Sequence, residues 1–158
     1  MAKQPDPVRM GHPNLILETL AEVAKERKIE FFSVPQFLDG RNEWDEIYVE
    51  LKTKQFVAQF QLQQMPGCCG VLVVFYVNVN PWTKENFQKV LKSIAEAAYQ
   101  AGFGSLLMAQ VVHKDEIWQG LPWKVSEPFV NAKSGNRVVY LTLDLGQKEK
   151  REGLEVEV

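Results

Sequence analysis

The sequence predicts an α/β fold: a single domain with a mixed β-sheet and flanking helices. Three observations carry that prediction. Val71–Val79 is a run of β-branched, aromatic and aliphatic residues broken only by Asn78, the pattern of a strand buried on both faces. Phe87, Val90, Leu91, Ile94, Ala97, Ala98 and Ala101 then recur at helical spacing, and Ser105–Val112 is a second apolar run. Strand, helix and strand in this order form a crossover, which joins parallel neighbours. Upstream, Ile47, Val49 and Leu51, and then Phe56, Ala58, Phe60 and Leu62, alternate with polar residues, the antiparallel signature.

A chain of 158 residues fits one domain, and a domain of this size buries roughly 68–70% of its unfolded surface. It needs no disulfide or metal to hold it together. The 18 basic and 20 acidic residues nearly balance, so there is no strongly positive field to attract nucleic acid or acidic lipid. Met1–Pro7 lacks the apolar core of a signal peptide and no apolar stretch reaches membrane-spanning length, so the expected location is cytoplasmic. Cys68 and Cys69 are adjacent, which disfavours relaxed disulfide geometry. With His12 and His113 the only histidines, no zinc-ligand spacing exists, and no metal is expected.

Taken in order, residues 1–11 are polar and Pro-rich and are expected to be a flexible N-terminal segment. Residues 12–145 form the single domain. His12-Pro13 opens a first helix, running to about Lys28 with a stripe of Ile16, Leu20, Val23 and Ala24. Residues 29–34 read as a strand and Asp39-Gly40 as a turn. The two alternating runs form a hairpin through Lys52-Thr53-Lys54. Thr83 is the expected N-cap of the long helix and Gly102 the left-handed residue that ends it. Residues 113–120 suit one or two helical turns. Strands at 123–131 and 136–145 close the domain, and residues 146–158 form a charged tail.

This order of elements resembles the acyl-CoA N-acyltransferase (GNAT) superfamily over residues 13–145. Two local stretches add to it: the strand–turn–helix of Val71–Gly102, and Asp115–Trp123, where the family often has a helix ending in Leu-Tyr and then Gly-Phe. Phe129–Val138 is also similar to closing hairpins of small phage and prophage proteins of GNAT-like type. The resemblance implies an acyl-CoA-dependent N-acyltransferase. It places Phe75, Tyr76, Val77, Asn78 and Val79 along the pantetheine of acetyl-CoA or another acyl-CoA, and Trp82, Thr83 and Lys84 near the phosphates. The acceptor would be a small-molecule or protein amine.

The sequence also departs from the family. A Gln/Arg-x-x-Gly-x-Gly/Ala loop usually joins the central strand to the helix and binds pyrophosphate through backbone N–H groups. Asn78–Lys84 contains no glycine, and Pro81 removes a donor. The tyrosine that often serves as general acid aligns near Trp118, whose indole N–H gives up no proton at neutral pH.

His113, at the end of the second parallel strand, and Glu116 are the candidate bases for the amine. Each has a plainer role, His113 as a strand-end side chain and Asp115 and Glu116 as first-turn residues of a short helix. Cys68 or Cys69 would be a nucleophile if a cation lowered its pKa; filling a tight bend is the alternative. Trp82, Trp118 and Trp123 lie in or beside turns, where aromatics hold a ligand or a protein partner, or pack under loops. Two further readings therefore stand beside the transferase. One is a non-catalytic GNAT-like module that binds a protein partner, phage host interaction included, or pairs as a homodimer through its closing strands. The other is a thiol-dependent enzyme using Cys68 or Cys69 with His113.

Overall fold

The computed structural model describes residues 13–36, 46–64, 70–111 and 123–146. In chain order the elements are α1 (Pro13–Glu26), β1 (Glu30–Gln36), β2 (Glu46–Lys52), β3 (Val57–Gln64), β4 (Val71–Asn80), α2 (Lys84–Gln100), β5 (Ser105–Val111), β6 (Lys124–Val125), β7 (Phe129–Val130) and β8 (Arg137–Asp144). The strands form one mixed sheet in the order β1-β2-β3-β4-β5-β8-β6, with β7 also paired to β8. Only β4 and β5 pair in parallel; every other pairing is antiparallel.

The hairpin of β2 and β3 follows from its alternation. Register sets Ile47 against Leu62, Val49 against Phe60 and Leu51 against Ala58, and all six side chains are buried. Thr53 closes the turn, its hydroxyl oxygen accepting from the Gln55 and Phe56 amides at 3.0 and 3.1 Å. Across the sheet the same face continues through Leu72, Val74, Leu106, Met108, Leu141 and Leu143, and both described helices pack on it. The two described helices, α1 and α2, lie side by side on one face of the sheet. The Thr19 hydroxyl of α1 lies 3.0 Å from the Ala97 carbonyl of α2.

Each helix ends as its chemistry requires, one as anticipated and one not. On α2, Thr83 is the N-cap, its hydroxyl accepting from the Asn86 amide at 3.1 Å. At its far end Gly102 has φ +91°, and the Gly102 and Phe103 amides bond back to Tyr99 and Ala98 at 3.0 and 2.9 Å. That is a Schellman closure with glycine at the left-handed position. Helix α1 ends at Glu26, two residues before the expected Lys28, in the same closure. Here Lys28 takes the left-handed position with φ +57°, and Ile29 bonds to Ala24 at 2.8 Å.

The closing hairpin turns at Asn131–Asn136, with Gly135 at φ +74° and the Asn131 side-chain oxygen accepting from the Lys133 amide at 2.9 Å. Its first arm is two short strands rather than one: Ser126–Pro128 interrupts it, where the Ser126 hydroxyl substitutes for backbone and accepts from the Tyr140 amide at 2.8 Å. No described helix is long and apolar enough to cross a membrane.

Candidate functional site

The site is built by an irregularity in β4. Gln61 of β3 pairs with Phe75 and Gln59 pairs with Asn78. One residue of β3, Phe60, therefore faces two of β4, Tyr76 and Val77. This is a β-bulge, and it has two consequences.

The first is a change of parity. Before the bulge the even residues Leu72 and Val74 face the helices; after it the odd residues Val77 and Val79 do. The second concerns β5. The parallel register runs from Val71 and Ser105 to Val74 and Met108. Beyond it the β4–β5 register pairs stop while β4 runs on to Asn80, and β5 stays paired to β8 as far as Val111. The two central strands part at their carboxyl ends. Bulges bend the strand that carries them, which accounts for the divergence. The expectation that β4 is buried on both faces throughout is corrected accordingly. Val73 and Val74 are buried, whereas Asn78 and Asn80 are exposed.

Helix α2 starts at the top of this opening. Residues 75–80 offer roughly 20 Å of extended backbone, long enough for a chain-like ligand to lie along it as an added strand does. At the end of that path Thr83 occupies the Asn86 amide, while the Lys84 and Glu85 amides bond to no other described residue. The Asn80–Pro81 peptide is cis, and the Asn86 side-chain amide donates to the Pro81 carbonyl at 3.0 Å. Trp82 is 42% exposed and its ring lies 5.5 Å from that of Phe87. Lys84 is exposed, and Glu85 next to it pairs with Lys89 at 3.2 Å.

These residues fit an acyl-pantetheine arm better than a diphosphate. The open β4 edge suits an extended amide-bearing chain. The helix start supplies two amides without a partner among the described residues and one lysine, with the Glu85 carboxylate opposing an anion nearby. The structure thus gathers Phe75, Val77, Asn78, Val79, Trp82, Thr83 and Lys84, with the Tyr76 backbone, along one continuous path. His113, Glu116, Cys68, Cys69, Trp44 and Trp118 lie outside the described residues. Trp123 is buried, and its indole N–H has no partner among the described residues. Among the described residues no group of His, Cys, Asp or Glu could hold a metal ion.

Sequence reasoning missed one cluster. On the face opposite α1 and α2, the Tyr48 hydroxyl donates to Glu50 Oε2 at 3.2 Å and Gln59 Nε2 donates to the same oxygen at 3.4 Å. Burial, then the hydrogen bond to Glu50, then its negative charge raise the Tyr48 pKa above its ordinary value of 10.0. The alternation of β2 had already put Tyr48 and Glu50 on one side, but only pairing with β3 brings Gln59 to them.

No protein-family model matches the sequence, and no curated protein matches it. Solved structures do match in fold. TofI, solved in a ternary complex with an inhibitor and MTA, is 12% identical, with 89% of this chain and 86% of that one covered and a TM-score of 0.54. A Klebsiella pneumoniae protein described as an acyl-CoA N-acyltransferase is 12% identical, covering 82% and 88% with a TM-score of 0.51. BjaI, a CoA-dependent acyl-homoserine lactone synthase solved with SAM and isopentyl-CoA, is 13% identical, covering 90% and 78% with a TM-score of 0.53. Identities this low speak to architecture alone. The chain is a single α/β domain with the GNAT acyltransferase fold.

Proposed function

We propose that the protein transfers an acyl group from acyl-CoA, acetyl-CoA being the first choice, to an amine. The observation that carries this reading is the parting of β4 and β5 beyond Val74 and Met108, with α2 starting at its open end. Ligands of α/β sheets bind outside the carboxyl ends of parallel strands. When bound, the thioester supplies an activated acyl carbon and a thiolate leaving group. Residues Phe75–Val79 offer their backbone to the pantetheine arm; Trp82 flanks it, and Lys84 with the first amides of α2 meets the phosphates. His113 or Glu116 takes the proton of the attacking amine, directly or through water. The amine attacks the acyl carbon itself, so no enzyme nucleophile is needed, and Cys68 and Cys69 are structural.

The test is thermal stability with and without acetyl-CoA and free CoA up to millimolar concentration. A ligand at a hundred times its dissociation constant adds about 2.7 kcal/mol to the folded state. A shift with both ligands, reduced in Lys84→Ala, is the expected result. No shift with either one refutes the CoA-dependent reading. The glycine-free connection with Pro81 favours a second reading, a non-catalytic GNAT-like module that binds a protein partner or a second copy of itself. That reading takes over on a null result.

A further inference from the structure

The face of the sheet opposite α1 and α2 carries a row of side chains in strict register. Phe32 of β1 is opposite Glu50 of β2, Glu50 is opposite Gln59 of β3, and Gln59 is opposite Asn78 of β4. Register partners share a face, so these four point to the same side, away from α1 and α2. The row ends at Asn78, on the stretch of β4 that has left β5. It thus leads from β1 to the margin of the proposed transfer site.

Glu50 is the singular member of this row. It is half-buried, and no described lysine, arginine or histidine pairs with it. Its two partners, Tyr48 and Gln59, are neutral donors, and both use Oε2. They orient the carboxylate through Oε2, and Oε1 has no hydrogen-bond partner among the described residues. Its flanks are aromatic. The Phe32 ring is 57% exposed directly across from it, and Tyr48 precedes it by two residues on the same face. A carboxylate between aromatic rings is the chemistry that recognises an organic ammonium group, by charge and by cation–π attraction.

We propose that Glu50, framed by Tyr48, Gln59 and Phe32, binds a cationic group of the acyl acceptor. This rests on the acyl-transfer reading for what happens at β4, but not for the binding of the cation. Two strand spacings separate Glu50 from Asn78, about 10 Å. An acceptor held by an ammonium at Glu50 and reacting beside Asn78 carries its second nitrogen at that distance. The substrate class is therefore a long-chain diamine, anchored at one nitrogen and acylated at the other. Gln59, between the two, offers the chain a polar but uncharged floor.

The test uses the full chain and three probes of equal length: diaminoheptane, heptylamine and heptanediol. Binding is measured by titration calorimetry without acyl-CoA, so that the readout does not depend on catalysis. Diaminoheptane and heptylamine should bind and heptanediol should not, because one ammonium suffices for Glu50. Glu50→Gln, which keeps an oxygen for both donors, should weaken the amines about tenfold or more. Phe32→Leu should weaken them severalfold. With acetyl-CoA present, only diaminoheptane should be acylated efficiently, and Glu50→Gln should raise its KM far more than it lowers kcat. The thermal shift given by acetyl-CoA should be unchanged in Glu50→Gln, which also shows that the variant folds. Amine binding that Glu50→Gln leaves intact, or no amine binding at all, overturns the proposal even where acetyl-CoA binds. Amine binding lost in Glu50→Gln with no response to acetyl-CoA keeps the cation site and removes the transferase reading.

Discussion

Deleting Tyr76 separates what the β4 bulge does for the fold from what it does for the site. The deletion leaves Val77 alone opposite Phe60, while the flanking pairs Gln61–Phe75 and Gln59–Asn78 keep their places. Leu72, Val74, Val77 and Val79 would then alternate regularly toward the helices, so the core loses none of them. The straightened strand could extend its ladder with β5 toward residues 109–111, each new bond contributing about 0.5–1.5 kcal/mol. Against this stands the loss of one residue's other contacts, of the same order. Net stability should therefore stay within about 2 kcal/mol, or roughly 4–8 °C in Tm for a chain of this size. The opening between β4 and β5, however, should close. Acetyl-CoA at a hundred times its wild-type dissociation constant, which would stabilise the wild type by about 2.7 kcal/mol, should no longer stabilise the variant. Deleting Val73 is the control: it lies before the bulge, flips the parity of Val74, Val77 and Val79, and should unfold the domain. Thermal melts followed by circular dichroism, with and without acetyl-CoA, read both effects. If the Tyr76 deletion collapses as the Val73 deletion does, the bulge is part of the fold's stability. If it keeps the full ligand shift, the parted strands are not where acyl-CoA binds.

Two smaller predictions follow from local geometry. Lys28→Gly should raise stability by up to about 1 kcal/mol, the strain of a left-handed lysine less the entropy of a freer unfolded chain, and a urea midpoint measurement checks it. The raised Tyr48 pKa means that the native state holds the phenolic proton more tightly than the unfolded chain. Its contribution to stability is therefore complete below the unfolded value and is lost as pH rises through the native one. Comparing the ultraviolet titrations of the wild type and Tyr48→Phe isolates this group, and Glu50→Gln should lower its pKa. A Tyr48 that ionises at the ordinary value in the wild type would refute the contact with Glu50.

Much of the fold was legible because its signals are local and periodic. Alternation in β2 and β3 identified the core face of each strand before pairing was known, and register merely joined them. The N-cap at Thr83 and the left-handed Gly102 were readable because few residue types serve those positions. Lys28 holds the equivalent position at the end of α1 without announcing it, since any residue can be forced there by a closure that satisfies the last carbonyls. The face of the sheet that receives α1 and α2 was not legible either. A stripe on a helix tells that it packs, not which face of the sheet receives it.

By itself, the sequence determined that this is an α/β domain, where most of its strands lie, and where the crossover helix begins and ends. Only the tertiary structure revealed the opening that makes the candidate site. The bulge at Tyr76 and Val77 falls inside a run in which nearly every residue is apolar, so a change of parity there leaves no mark on the pattern. It becomes visible only when Phe60 of the neighbouring strand is seen to face two residues instead of one. The same holds for Glu50, which is framed by side chains from three different strands. Hydrophobic periodicity records how a segment meets the core, whereas a site made by pairing across strands exists only once the register is set.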